Sequence, residues 1–129
     1  MTDPLVENLM TNRRVKYVVA MCGDLNRGER MNVGVLAWDT ELGPSAPVSL
    51  RLLKDWTRIH AAFPSSYSDM IQKQVETCLT DIRTYADFQK AVNKQGPYTP
   101  FEFTEERGSL ESPENTVVGT AQFFLRQLA

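Results

Sequence analysis

Residues 15–22, Val-Lys-Tyr-Val-Val-Ala-Met-Cys, are β-branched or apolar at almost every position and predict a strand. Alternation puts Val15, Tyr17, Val19 and Met21 on one face. Val18, Ala20 and Cys22 fall on the other, with Lys16 at its edge. Both faces are apolar, so the strand is expected to be covered on both sides. Residues 31–39 predict a second strand, with Val33, Val35 and Ala37 on one face and Asn32, Gly34, Leu36 and Trp38 on the other. The loop between them holds Asn26 and Gly28, which tolerate positive φ, and closes a hairpin. A turn at 40–47 with Gly43, Pro44 and Pro47 leads to a third strand at 48–53.

Residues 55–63 predict a short helix stopped by Pro64. Ser66-Tyr67-Ser68-Asp69 has the form of a capping box, with Ser66 as the cap. After it, Tyr67, Met70, Ile71, Val75, Cys78, Leu79, Ile82, Tyr85 and Ala86 recur at steps of three and four. This period predicts one long amphipathic helix over 67–93, ended by Gly96 and Pro97. Phe101 and Phe103 alternate with Glu102 and Thr104 in a half-buried strand at 100–105. Ser112-Pro113-Glu114 is a helix start: serine caps, proline takes the first turn, and glutamate suits the positive end of the dipole. Val117, Ala121, Phe124, Leu125 and Leu128 then share one face. The order β-β-β-α-α-β-α predicts an α+β fold. An antiparallel sheet of about four strands packs with one long and one C-terminal helix. Residues 1–129 read as a single domain, with 1–12 expected to be a flexible segment.

Composition narrows the chemistry. The chain has 129 residues with 42% hydrophobic and 23% charged, enough to build one core. Two cysteines, Cys22 and Cys78, exclude a disulfide framework and a four-cysteine zinc site. One histidine, His60, excludes a His-rich metal site within one chain. The net charge is −2, which argues against a general nucleic-acid binder. No segment reads as a signal or a membrane span. With two unpaired-looking cysteines, a cytoplasmic protein is expected, in a bacterial cell or a phage-infected host.

The most distinctive stretch is Gly28-Glu29-Arg30-Met31-Asn32-Val33-Gly34-Val35. Gly34 inside an apolar strand marks a bulge or a close approach of another backbone. Asn32 lies among large apolar residues, so its amide must find partners. One reading ties Glu29 and Asn32 to neighbouring backbone; another has them line a ligand pocket. With Tyr17 and Val19 ahead of it, this pattern resembles domain-of-unknown-function family 3037, found in bacteria and their phages. Its members look like Tyr-x-Val, a short loop, then Gly-Glu-x-x-Asn-x-Gly-Val. The resemblance covers about residues 15–39 and implies no particular activity. It does imply a setting in toxin control or phage–host conflict, with a HipA-like kinase as a candidate partner.

Basic residues gather in the first half: Arg13, Arg14, Lys16, Arg27, Arg30, Arg51, Lys54 and Arg58. Guanidinium forks suit phosphates and carboxylates. Candidate binding residues are therefore Arg14, Lys16, Arg27, Glu29, Arg30, Asn32 and Arg51, for a protein partner or alternatively a nucleotide. No phosphate-binding glycine loop accompanies them. His60, beside Trp56, Ile59 and Phe63, reads as packing. Cys22 and Cys78 read as buried small hydrophobes, and Ser65, Ser66 and Ser68 as helix capping. A metal-dependent hydrolase or nuclease using Glu29 with Asp24 and Asp39 ranks last, since the spacing matches no metal signature. No catalytic residue, metal or cofactor is assigned. The favoured expectation is a non-enzymatic interaction module. Strands apolar on both faces and surplus aromatics at Trp38, Trp56, Phe123 and Phe124 further suggest a homodimer.

Overall fold

A computed structural model describes residues 14–24, 29–62, 65–94 and 101–125. Strands β1 (Val15–Asp24) and β2 (Glu29–Asp39) pair antiparallel as a long hairpin. A 3-10 turn (Thr40–Ser45) leads to β3 (Ser49–Leu52). Three helices follow: α1 (Thr57–Ala62), α2 (Ser65–Thr80) and α3 (Tyr85–Asn93). Short strands β4 (Phe101–Phe103) and β5 (Arg107–Ser109) precede α4 (Pro113–Phe124). The sheet order is β3-β2-β1-β4, and β5 also pairs with β1. Thus β1 and β2 are central, and the fold is the expected antiparallel α+β one.

The strand predicted at 100–105 is shorter, Phe101–Phe103, and is followed by a further strand, β5, that the alternation did not indicate. β4 pairs with Ala20, Met21 and Cys22, and β5 pairs with Val15, Lys16 and Tyr17. Between them the Thr104 hydroxyl accepts from Val19 N–H at 2.9 Å, while Thr104 N–H donates to Val19 O at 2.9 Å. A side chain thus replaces one rung, and the two pieces form one interrupted edge along β1.

Both faces of the hairpin are covered. Val18, Ala20, Cys22, Leu36 and Trp38 lie in one cluster with Ile59, Ile71, Val75, Leu79 and Phe88 of the first three helices. Val15, Val19, Val35 and Ala37 lie in another with Val117, Ala121 and Leu125. Among the described residues, one helix therefore covers the second face. Trp38 stacks on Tyr85 at 5.1 Å, and Phe88 meets Phe103 edge-on at 5.0 Å. These rings close the first cluster against α3.

The helix predicted over 67–93 is two helices. The chain leaves the helix at 81–84 because Thr84 is extended (φ −128, ψ 165) and forms a capping box with Asp87. The same segment makes a β-bridge, with Val48 N–H to Arg83 O and Tyr85 N–H to Ala46 O, both 2.9 Å. Ile82 stays buried across the break, so the apolar period runs on while the backbone does not. Cys78, expected to be buried, is exposed on the flank of α2.

The expected alternation of β2 also fails at one point. The ladder steps from Ala20–Gly34 to Met21–Asn32, leaving Val33 as an extra residue. This β-bulge puts Val33 with Gly34, Leu36 and Trp38 rather than with Val35. Gly34 is then required. A Cβ there would stand 2.9 Å from Leu79 Cδ1 and 3.4 Å from Arg51 O.

Gly34→Ala is expected to destabilise the fold by about 1–3 kcal/mol through overpacking. In a Leu79→Ala background, itself costing about 2–5 kcal/mol, the same change should cost much less. Urea denaturation of the four proteins checks this; additive costs would mean that the two residues do not meet.

Candidate functional site

The bulge gives the hairpin motif its geometry. Shifting Val33 leaves Asn32 on the α4 side of the sheet, opposite Met21. Its Nδ2 donates to Phe124 O at 3.1 Å. Phe124 ends α4, and its carbonyl is one of the groups that a helix terminus leaves without an intrahelical partner. At the other end of α4, Ser112 accepts from Asn115 N–H at 3.2 Å, and Pro113 takes the first turn as expected. Asn32 and Gly34 thus serve opposite faces: one holds the end of α4 and the other admits Leu79 of α2.

The sequence-predicted binding residues are spread along the hairpin. Arg14, at the open end, is bound to Asp39 at 2.7 Å and lies 3.4 Å from Glu41. Its guanidinium holds the Asp39 carboxyl below the usual aspartate range, despite a small opposing effect of burial. Arg14 O also receives the Thr40 N–H and hydroxyl, at 2.8 and 2.6 Å. Lys16 pairs with Trp38 in register, on the face packed by α2 and α3. Arg51 is opposite Val35, on the α4 face and exposed. Arg27 and the side chains of Glu29 and Arg30 lie outside the described residues. In register, Glu29 and Arg30 sit at the closed end, opposite Asp24 and Gly23. The structure therefore does not gather Arg14, Lys16, Asn32 and Arg51 into one cluster.

The three carboxylates considered for a metal are divided in the same way. In the strand register Asp24 and Glu29 are partners at the closed end, while Asp39 pairs with Val15 at the open end. Ten residues of strand separate Glu29 from Asp39, about 30 Å at the usual rise. Among the described residues no group of three or more His, Cys, Asp or Glu has metal-holding geometry.

A polar chain joins α1 to α2, which the reading of His60 as packing and Ser68 as capping missed. His60 Nδ1 lies 2.8 Å from Ser68 Oγ, and Nε2 lies 2.7 Å from Gln72 Oε1. Gln72 Nε2 donates to Glu76 Oε1 at 2.7 Å. That last bond turns Gln72 Oε1 toward the ring, so His60 Nε2 donates to it. Asp69 Oδ1 is 3.6 Å from Nδ1. The order Ser–His–Gln–Glu has the form of a nucleophile relay, but Ser68 is fully buried and cannot meet a substrate. It fastens a six-residue helix to its neighbour. The signal available in sequence was Ser68, Gln72 and Glu76 at steps of four, in register with the preceding histidine. Cys22 is equally inert, since burial pushes its thiol up to about 11.

The outer face of α4 has the opposite character. Asn115, Gly119, Gln122 and Phe123 are exposed at helical spacing. Phe123 is 77% exposed and meets Phe124 edge-on at 5.0 Å. The Phe124 ring is half-buried beneath the Arg107 guanidinium, 5.7 Å from its centroid. Nothing lies within 4 Å of where a Cβ on Gly119 would stand. A glycine inside a helix costs about 1 kcal/mol relative to alanine, and no packing among the described residues requires this one.

Fold and site together define an α+β sheet domain whose central hairpin carries a bulged Asn-x-Gly segment between two helical covers. The chain belongs to the family described as Protein of unknown function (DUF3037), whose model matches residues 17–124. No curated protein and no solved structure matches it. No helix among the described residues is long and apolar enough to cross a membrane.

Asn32→Asp keeps the shape but replaces the donor with a carboxylate at the negative end of α4. It is expected to destabilise the fold by about 1–3 kcal/mol at neutral pH. The folded state favours the protonated acid, raising its pKa, so the penalty should fade as pH drops through that value. Denaturation at pH 7 and pH 4 measures both, and equal stability of wild type and variant at pH 7 would refute the tether.

Proposed function

We propose that this protein is a non-enzymatic interaction module that binds a protein partner through the outer face of α4. The observation that carries this reading is Phe123, a large aromatic side chain standing mostly in water beside an unexplained helical glycine. Exposed aromatic surface of this kind is where protein contacts concentrate their binding energy. The His60–Ser68 pair supports the same reading, since the Ser68 hydroxyl is buried and the pair ties α1 to α2. So does the dispersal of Arg14, Lys16 and Arg51 along the hairpin, which among the described residues gives an anionic ligand no single cluster. A module of this type, working in the cytoplasm, suits toxin control or phage–host conflict, with a HipA-like kinase among the partners to try.

Site-specific photo-crosslinking tests this. A benzophenone amino acid at position 123 should yield a defined protein adduct in producing cells. The same probe at Gln89, exposed on α3, should not. Indistinguishable adduct patterns at the two positions would refute a binding face on α4.

A further inference from the structure

Resting on that reading of α4, we infer that the partner is a second copy of this chain, with the two α4 helices crossing antiparallel across a two-fold axis. Phe123 of each copy fills the space over Gly119 of the other. Three observations converge. Gly119 and Phe123 lie four residues apart, so a notch and a projecting ring stand one turn apart on a single stripe. Antiparallel apposition turns that spacing into two identical knob-and-notch contacts, the self-complementarity that an isologous interface requires.

Charge selects the same occupant. A two-fold contact sets a patch against a copy of the same patch, so a patch with net charge would repel itself. Glu114 is the single charged residue of α4, and the helical period puts it on the side away from Phe123. The patch of Asn115, Gly119, Gln122 and Phe123 carries no charge of its own and can therefore meet its copy without like-charge opposition. They also offer nothing to recruit a strongly acidic or basic partner. By contrast, α3 and its cap expose Lys90 and Lys94, which a two-fold contact would set against themselves. The missing Cβ of Gly119 also lets the two backbones approach closely, the usual role of glycine at such contacts.

A single twelve-residue helix buries less than a standard interface, so association in the range of roughly 10–100 µM is expected. Sedimentation of the purified full chain from about 1 to 300 µM should show a monomer–dimer equilibrium in that range. Phe123→Ser should weaken it at least about tenfold. Gly119→Leu should weaken it comparably while leaving the thermal midpoint unchanged or raised, since a Cβ there has open space around it and leucine is the better helix former. A wild-type chain that remains monomeric throughout would overturn the inference. So would a dimer unaffected by both substitutions. If the chain is monomeric but residue 123 still crosslinks to a different protein, α4 remains a binding face and only the second copy is ruled out.

Discussion

Two long strands without a polar face cannot stand in water, and this constraint organises the chain. Each buried Val or Leu contributes about 1.5–3 kcal/mol only if something covers it. On one side α1, α2 and α3 supply that cover, together with Trp38 stacked against Tyr85. On the other, α4 is the one helix among the described residues that does so. The two covers need different surfaces from the same strand. α2 approaches β2 closely through Leu79, whereas α4 ends in a carbonyl that needs a donor. A regular pleat would put Asn32 and Gly34 on the same face. One extra residue, Val33, sends them to opposite faces and serves both covers. The bulge therefore reconciles two packing demands on adjacent positions.

The uneven division of labour has a consequence for the surface. α2 is held by a broad apolar stripe, and α1 is fastened to it through His60, Ser68 and Gln72. α4 spends Val117, Ala121 and Leu125 on the sheet and is fixed at its ends by Ser112 and Asn32. Thr116 is buried against Ser109, while Asn115, Gly119, Gln122 and Phe123 stay exposed. These exposed residues answer to solvent or to a partner rather than to the core. An exposed phenylalanine and an uncovered glycine fit poorly with solvent alone.

Much of the fold was legible because it is written locally. The two-faced character of β1, the Ser-Pro-Glu start of α4 and the special status of Gly34 all depend on adjacent residues. The break between α2 and α3 was hidden because Ile82 and Tyr85 continue the apolar period through a non-helical segment. Thr84 and Asp87 carried the capping signal, but its other half, pairing with Ala46 and Val48, comes from distant sequence. The direction of Val33 was not legible, because alternation assumes an unbroken pleat. The basic cluster failed to gather for a geometric reason: residues near in sequence on a long hairpin can stand at its two ends. Cys78 was misjudged because three- and four-residue steps define a stripe broader than the contact it makes.

These distinctions bear on where function should be sought. Within the hairpin motif, Asn32 and Gly34 are each explained by a specific packing partner, Phe124 O and Leu79 Cδ1. A residue whose identity the fold already requires carries no separate information about activity, however distinctive its motif. The same reasoning applies to His60 and Ser68, which suggest chemistry as a pair but are occupied in joining two helices. Gly119 is different. Its backbone is helical, its surroundings are open, and alanine would stabilise the helix without touching anything. The fold gives no reason for glycine at that position, and one turn later it gives none for exposing Phe123. Two adjacent departures from what stability favours, on a face that the core does not use, point to a demand from outside the monomer.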